Sequence, residues 1–341
     1  MKKSVLVIGG TGLIGSEVVN TLLDSKKYNV FSFSHRRNEN CTSFVGDVSI
    51  LPEIEFVFQN YKIDTTLILF GNKSVANSVD TNLYTKNDFL GLVNILYCCD
   101  KYNCKKVVYL SSSAVYKSGY KLKEDSPLCH NTYYSFLKNT SESLLEWYRL
   151  SKKIEYVVLR CFNVVGFSKN RKTKDIISLL CENNKLTVFG NDFETTDGTI
   201  VRDYVWVSDV ANAIEKSIDY PVSNIFNIGS GDGKSILDII ACYEKIFSLK
   251  PTISYSERRP FDQPILESDI TKATKYLDWL PNYTLEDMIK IFYEKTYKGF
   301  VNGIGNGKYY DHYTGKKGNI SSLTLATTVL DRNRYLDFSG K

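Results

Sequence analysis

Residues 5–19 read VLVIGGTGLIGSEVV: a continuous apolar run, glycines at Gly9, Gly12 and Gly15, and then the period of a helix. No other stretch restricts the fold as much. A strand that enters a helix through glycines lets the backbone turn tightly and approach a pyrophosphate. The free N–H groups and the positive end of the helix dipole then face that group. The G-x-x-G-x-x-G spacing departs from the G-x-G-x-x-G of classical dinucleotide dehydrogenases and points to another branch of that architecture. A purely structural tight turn is the alternative reading of the glycines alone.

The alternation continues along the chain. Apolar runs at 30–33 (VFSF), 66–70 (TLILF), 106–110 (KVVYL) and 155–160 (EYVVLR) are separated by helical patterns near 51–60, 82–102 and 134–150. Strands without polar alternation are buried on both faces, so the pattern predicts parallel βαβ units with right-handed crossovers. The expected class is α/β, a Rossmann-like doubly wound parallel sheet. After Asn163 the rhythm breaks, and 163–205 is rich in Lys, Asn, Thr and Gly. Ser208 is expected to cap a helix over DVANAIEKSI. NIFNIGSG reads as one more strand, and SILDIIACYEKIF and TLEDMIKIFYEKTY as amphipathic helices. The expected division is a dinucleotide-binding domain over 1–165 and a smaller substrate-binding lobe over 166–299, interleaved with it. The Gly- and polar-rich tail 300–341, whose one apolar pattern is SLTLATTVL, is expected to be loosely ordered.

Charge and cysteine usage exclude several classes. The 341 residues carry a net charge of +5, with basic spots such as His35-Arg36-Arg37, Arg258-Arg259 and Lys316-Lys317 scattered along the chain. A nucleic-acid binder would show a stripe, so no nucleic-acid partner is expected. The eight cysteines form no C-x-x-C, and none of the three histidines lies near a cysteine pair, so no metal site is expected. The cysteines within apolar runs read as small buried hydrophobes. The N-terminal apolar run of four residues is a strand rather than a signal peptide, and no run reaches a membrane span of ~18 residues. A reducing cytoplasm fits this usage.

The chemistry-bearing residues follow. Tyr134 and Lys138 in YSFLK are one helical turn apart, which puts both side chains on one face. An ammonium beside a phenol favours the phenolate, so the Tyr134 pKa is expected below its ordinary value of about 10, and further below it once an oxidised nicotinamide adds positive charge. Such a tyrosine can take the proton of an alcohol while hydride leaves the same carbon. A surface pair is the alternative reading. Neighbouring Tyr133 has Leu137 as its i+4 partner, which cannot tune it. VVYLSSSAVYK is a buried strand ending in three serines, at the edge where α/β sheets bind ligands. A serine there can hydrogen-bond the reacting oxygen, or simply close a turn.

With these residues in place, the chain resembles the extended short-chain dehydrogenase/reductases. Within the NAD-dependent epimerase/dehydratase family it is most similar to the UDP-glucose 4-epimerases. The resemblance covers about residues 3–297. It rests on GGTGLIGS (9–16), FVGDV (44–48), SSSAVY (111–116), YSFLK (134–138), LRCFNVVG (159–166), FGNDFETTDGTIVRDYVWVSDVA (189–211), FNIGSGDGKSILDI (226–239) and RRPFDQP (258–264). It implies NAD or NADP as cofactor, a nucleotide-sugar substrate, and a homodimer formed through the helices near 82–102 and 134–150. It assigns Tyr134 as general base, Lys138 as its partner on the nicotinamide ribose, and Ser112 as the catalytic hydroxyl, with Ser113 second. Gly9, Gly12, Leu13, Ile14 and Gly15 would form the pyrophosphate turn. Asp47 and Val48 would contact the adenine, Lys73 would reach the cofactor, and Asn87 would lie near the nicotinamide. Asn163 would hold the diphosphate side of the substrate and Phe189 would line the nucleobase pocket. Arg202 and Arg259 would clamp the diphosphate, a role suited to forked permanent cations. The other reading of Arg202 is a pair with Asp203 or Asp209.

Four departures matter. Ser113-Ala114 follow Ser112 where dehydratases of the family carry an acidic pair, which disfavours a 4,6-dehydratase. LILFGN replaces the histidine-containing signature after the fourth strand, and Leu266 stands where the epimerases carry a sugar-pocket tyrosine. The acid that binds the NAD ribose is replaced by Ser34, followed by His35, Arg36 and Arg37. An acid repels a 2′-phosphate, whereas serine and arginine favour it, so Ser34, Arg36 and Arg37 suggest NADP. The resulting expectation is a nucleotide-sugar 4-epimerase. The alternatives are an NADPH-dependent reductase of 4-keto-6-deoxyhexose nucleotides and a non-catalytic NAD(P)-binding protein.

Overall fold

The runs of apolar residues become seven parallel strands: β1 (Lys3–Ile8), β2 (Tyr28–Ser34), β3 (Thr42–Val45), β4 (Thr65–Ile68), β5 (Lys106–Ser112), β6 (Glu155–Cys161) and β7 (Asn224–Ile228). They lie in the order β7-β6-β5-β4-β1-β2-β3. This is a computed structural model, and it describes residues 2–71, 80–167, 175–303, 308–311, 316–319 and 336–337, with side chains described up to residue 294. Successive strand residues point to opposite faces. Val5, Val7, Leu67, Val108, Val157 and Leu159 enter one core with the helices Leu13–Ser25 and Val207–Ile218. Leu6, Ile8, Ile68, Val107 and Val158 enter the other, with Leu51–Asn60 and Gly91–Lys101. Each such fully buried aliphatic side chain contributes roughly 1.5–3 kcal/mol relative to exposure.

From β1 the chain steps outward to β2 and β3, then returns to place β4 on the other side of β1. The reversal opens a crevice at the carboxyl ends of β1 and β4, where ligands bind in open α/β sheets. Gly9, Ser34, Gly71 and Ser112 all fall on this edge.

Several local expectations are corrected. β3 lacks a continuous apolar run because it is a short edge strand with no fully buried residue, so periodicity does not reveal it. The helix expected over 82–102 is three pieces: Thr81–Tyr84, a π-helical stretch Thr85–Leu90, and Gly91–Lys101. Asp80 caps the first by accepting from the Leu83 N–H at 3.0 Å. Ser208 is not a cap. The strand Tyr204–Trp206 stays in register with Asn163–Val165 to its last residue, so the helix begins at Val207 and Ser208 falls inside its first turn. Ser235, by contrast, caps Ile236–Phe247 through a reciprocal box with Asp238.

The second lobe is built from short pairings. Lys234–Ser235, Val201–Arg202, Ile265–Ser268 and Gly119–Leu122 form one four-stranded sheet, and Lys185–Phe189 pairs with Thr252–Ser256. Gly119–Leu122 comes from the first half of the chain, while β7 returns from the second half to close the large sheet. Among the described residues of the tail, 308–311, 316–319 and 336–337 pair as strands; SLTLATTVL lies outside the described residues.

Candidate active site

The glycine turn is shaped for a phosphate. Gly9 has φ +87°, the left-handed region, and the Gly12 N–H donates to its carbonyl at 3.0 Å. A Cβ on Gly15 would press into that same carbonyl, so the helix can approach the strand only with glycine there. Gly12 occupies the cap of the helix Leu13–Ser25 without a side-chain hydrogen bond, and no acid lies in the first turn. The amides of the first turn, including those of Leu13 and Ile14, are therefore not covered by a capping side chain, as a pyrophosphate site requires.

At the adenosine end, Ser34 is buried and its hydroxyl donates to the Arg36 carbonyl at 2.9 Å. The Arg36 and Arg37 side chains are exposed, with Arg37 Nε 3.7 Å from Glu39. Asn38, which the sequence reading did not single out, ties this loop to the glycine turn by donating to the Gly10 carbonyl at 2.9 Å. Asp47 accepts from the Ser49 N–H and hydroxyl at 2.8 and 2.7 Å and lies 3.8 Å from Lys86. Burial pushes its carboxyl up, but those hydrogen bonds and Lys86 outweigh it and hold the carboxyl below its ordinary range. Val48 is buried, and its carbonyl accepts from Asn94 at 2.9 Å. Lys73 lies outside the described residues.

The helix Tyr133–Lys152 fixes the catalytic candidates. Thr132 and Ser135 form its capping box, with the Ser135 N–H 3.1 Å from Thr132 Oγ1 and the Thr132 N–H 3.2 Å from Ser135 Oγ. Tyr134 is thereby in the first turn and Lys138 one turn later. Tyr133 points elsewhere, its hydroxyl 2.6 Å from Thr85 Oγ1. Ser112, the last residue of β5, lies beside the Tyr134 phenol and favours its ionised form. Ser113 is instead buried in a 3₁₀ turn and its carbonyl accepts from the Tyr116 N–H. Lys138 is buried. Its ammonium donates to the Leu110 carbonyl at 2.9 Å and the Tyr109 hydroxyl at 3.1 Å, and lies 5.9 Å from the Tyr134 ring centre.

The expected depression of the Tyr134 pKa does not hold for the protein alone. Tyr134 is half-buried, and its hydroxyl is packed among protein atoms. Burial raises the phenol above its ordinary value. Lys138 and the neighbouring Ser112 hydroxyl pull it down without overcoming burial, and Tyr109 and Asp88 push it further up. The lysine is shared with Tyr109, so one ammonium does not offset the desolvation of a phenolate. Burial opposes the charge on Lys138 as well, but Tyr109, Tyr134 and Asp88 hold it above its ordinary value.

Asp88 is the residue that sequence reasoning missed here. It lies in the π-helical stretch and is 9 % exposed, whereas Asn87 beside it is half-buried. Its only sequence signal is its spacing of four from buried Tyr84. Beneath the trio runs a buried polar network. Ser111 donates to Glu142 at 2.5 Å, Glu142 pairs with Arg160 at 2.7 Å, Arg160 donates to the Tyr116 hydroxyl at 2.9 Å, and Tyr116 donates to Asn227 at 2.6 Å.

In the second lobe, Arg202 and Arg259 converge on one carboxylate. Arg259 Nε is 2.8 Å and Arg202 Nη2 3.9 Å from Asp262. Arg202 therefore does not pair with Asp203 or Asp209. Asp203 is used by the amides and hydroxyls of Ser230 and Ser268, and Asp209 by Asn282 and the Tyr283 N–H. The Arg259 guanidinium also lies 5.0 Å from the ring centre of half-exposed Phe189. Phe261, between Arg259 and Asp262, is exposed at φ +66°, an uncommon conformation for a bulky residue. Asn163 is exposed, and its N–H donates to the Asp203 carbonyl at 2.9 Å. Leu266 is buried with Val115, Tyr116, Leu122 and Phe162. Among the described residues no group of three or more His, Cys, Asp or Glu is arranged to hold a metal, and no helix is long and apolar enough to cross a membrane.

The chain is similar to known proteins over most of its length. Residues 5–229 match the model of the NAD dependent epimerase/dehydratase family. UDP-glucose 4-epimerase 2 of Arabidopsis thaliana is 30% identical over 329 residues, spanning 85% of this chain and 94% of that protein. UDP-glucose 4-epimerase of Lactobacillus helveticus is 30% identical over 311 residues, spanning 84% and 94%. Among solved structures, the UDP-glucose 4-epimerase of Bifidobacterium longum in complex with NAD+ and UDP superposes with a TM-score of 0.79 at 28% identity, covering 87% of this chain and 98% of that one. The Thermotoga maritima UDP-glucose 4-epimerase with UDP-glucose gives 0.79 at 26% identity, covering 87% and 99%.

Proposed function

Because the chain belongs to the NAD-dependent epimerase/dehydratase family of extended short-chain dehydrogenase/reductases, we propose that it is a nucleotide-sugar 4-epimerase acting on a UDP-hexose or a close analogue. The observation that carries the reading is the convergence of Ser112, at the end of β5, with Tyr134 and Lys138 on the ligand-binding edge of the sheet, the Lys138 ammonium 5.9 Å from the Tyr134 ring centre. Tyr134 takes the proton of the sugar 4-hydroxyl, Ser112 hydrogen-bonds the same oxygen, and Lys138 orients the nicotinamide ribose. The bound nicotinamide supplies the acceptor and then the donor of hydride at C4. Tyr134 returns the proton once the 4-keto sugar has turned its other face. Arg202 and Arg259 hold the diphosphate, Phe189 the base, and Asn163 the diphosphate side, so the nucleotide stays bound while the sugar turns.

The glycine turn, with Gly9, Gly12, Leu13, Ile14 and Gly15, holds the pyrophosphate, and Asp47, Val48, Lys73 and Asn87 complete the cofactor site. Ser34 with exposed Arg36 and Arg37 favours NADP, and that same observation favours the second reading, a 4-keto-sugar reductase. Residues 1–165, with β7, serve the cofactor and 166–299 the substrate. The helices Gly91–Lys101 and Tyr133–Lys152 carry exposed Tyr97, Trp147 and Leu150, which support a homodimer, and the free cysteines fit a reducing cytoplasm. Light scattering at the monomer mass would remove the dimer.

The test is mass spectrometry of the nucleotide released from denatured protein, together with incubation of the enzyme with UDP-hexoses. Tightly held NAD or NADP and interconversion of the C4 epimers support the epimerase. A site that arrives without dinucleotide, binds NADPH well above NADH and reduces 4-keto sugars supports the reductase. Tyr134→Phe abolishes turnover on either reading and leaves it intact on neither.

A further inference from the structure

We propose that Asp88 sets the charge of the nicotinamide subsite, its carboxylate favouring the cationic oxidised ring over the neutral reduced one. The inference rests on the epimerase reading and goes beyond it. In the reaction the sugar C4–H bond breaks and its electron pair travels as hydride to the ring, while the hydroxyl proton goes to Tyr134. A fixed anion beside the ring holds the enzyme in the state that can accept that hydride.

The geometry carries the argument. Gly71 follows β4 with no side chain. A Cβ added there would stand 3.5 Å from Lys138 Nζ and 3.9 Å from Asp88 Oδ2, so both charged groups lie beside the backbone of Gly71 on the ligand-binding edge. Asp88 is 9 % exposed, so salt screens it little. The Tyr134 phenol is faced by Ser112 from β5, Tyr109 from the same strand, Lys138 from its own helix, and Asp88 and Tyr84 from the interrupted helix. Asp88 opposes ionisation of that phenol. The phenol and the hydride acceptor must both reach one carbon–oxygen unit, within about 3–3.5 Å of the reacting atoms. A carboxylate close enough to act on the phenol therefore also acts on the ring. Tyr134 then ionises readily only after a cation has arrived, which couples the phenolate to the oxidised state.

The experiment compares wild type, Asp88→Asn, the smaller neutral Asp88→Ser, and the charge-keeping Asp88→Glu, each as the full chain stripped of dinucleotide. The affinity of reduced coenzyme is read by its fluorescence, that of oxidised coenzyme by competition, and ADP-ribose, which lacks the ring, reports whether the rest of the site is intact. In Asp88→Asn and Asp88→Ser the ratio of the oxidised to the reduced dissociation constant rises on the order of tenfold, as Coulomb's law gives for a partly screened charge at such range. Asp88→Glu keeps the wild-type ratio and ADP-ribose affinity stays constant throughout. An unchanged ratio in both neutral variants, or the same shift in Asp88→Glu, overturns the proposal, as does wild type that binds neither coenzyme. The ratio is measured without sugar. A shifted ratio in an enzyme that interconverts no epimers removes the epimerase reading and keeps the role of Asp88.

Discussion

Replacing Glu142 by glutamine isolates what the buried network beneath the active site does. Arg160 is 3 % and Glu142 8 % exposed, and the pair makes contacts of 2.7, 3.1 and 3.2 Å. The amide side chain keeps the volume and one acceptor oxygen but leaves the guanidinium charge uncompensated. Removing one partner of a buried pair costs about 3–5 kcal/mol. The low end applies here, because Arg160 also donates to the Tyr116 hydroxyl and the Glu124 carbonyl at 2.9 and 2.8 Å. A loss of about 3 kcal/mol lowers the folding equilibrium constant roughly a hundredfold. Urea unfolding of wild type, Glu142→Gln, Arg160→Met and the double variant reads it as a cycle. The double variant is expected to lose less than the two single losses added together, because neither charge is then stranded. Ser111 donates to Glu142 and adjoins Ser112, so turnover should also fall while coenzyme affinity holds. A single-variant loss below about 1 kcal/mol, or losses that simply add, would refute the reasoning.

Three further outcomes follow from other parts of the molecule. Arg36→Ala or Arg37→Ala should weaken NADPH binding by about tenfold while changing NADH little, checked by fluorescence titration; equal losses would make the arginines a solvated turn. Arg202→Lys should raise KM for the nucleotide sugar at least about tenfold without changing coenzyme affinity, because an ammonium cannot replace the fork. Burial lowers the Lys106 ammonium to about 8, with Lys3 adding to it and Glu155 opposing. Between that value and its unfolded value near ~10.4 the unfolded chain binds more protons, so this lysine makes stability rise with pH across that window and is flat below it. Lys106→Met should remove that part of the rise in a melting-temperature series, and an unchanged slope would count against the burial.

The sheet was legible because its strands are buried on both faces, which leaves continuous apolar runs in any reading of the chain. β3 escaped because an exposed edge strand needs no such run. The site was legible where chemistry demands local spacing. The glycines of the turn must fit between one strand and one helix, and Tyr134 and Lys138 must share a helical face. Asp88, and the approach of Arg202 to Asp262, carry no such local pattern. Each matters through what the fold sets against it, Lys138 and Tyr134 in one case and two arginines distant from one another in sequence in the other.

The sequence by itself determined the alternation of strand and helix and which phenol and ammonium share a face, because these are consequences of periods of two to four residues. Only the tertiary structure decided the balance of charge around Tyr134. A lysine one turn away predicts an acidic phenol, whereas the folded protein places burial, Tyr109 and Asp88 against it. Desolvation and the direction of neighbouring charges are set by packing between elements far apart in the chain, and no local spacing encodes them.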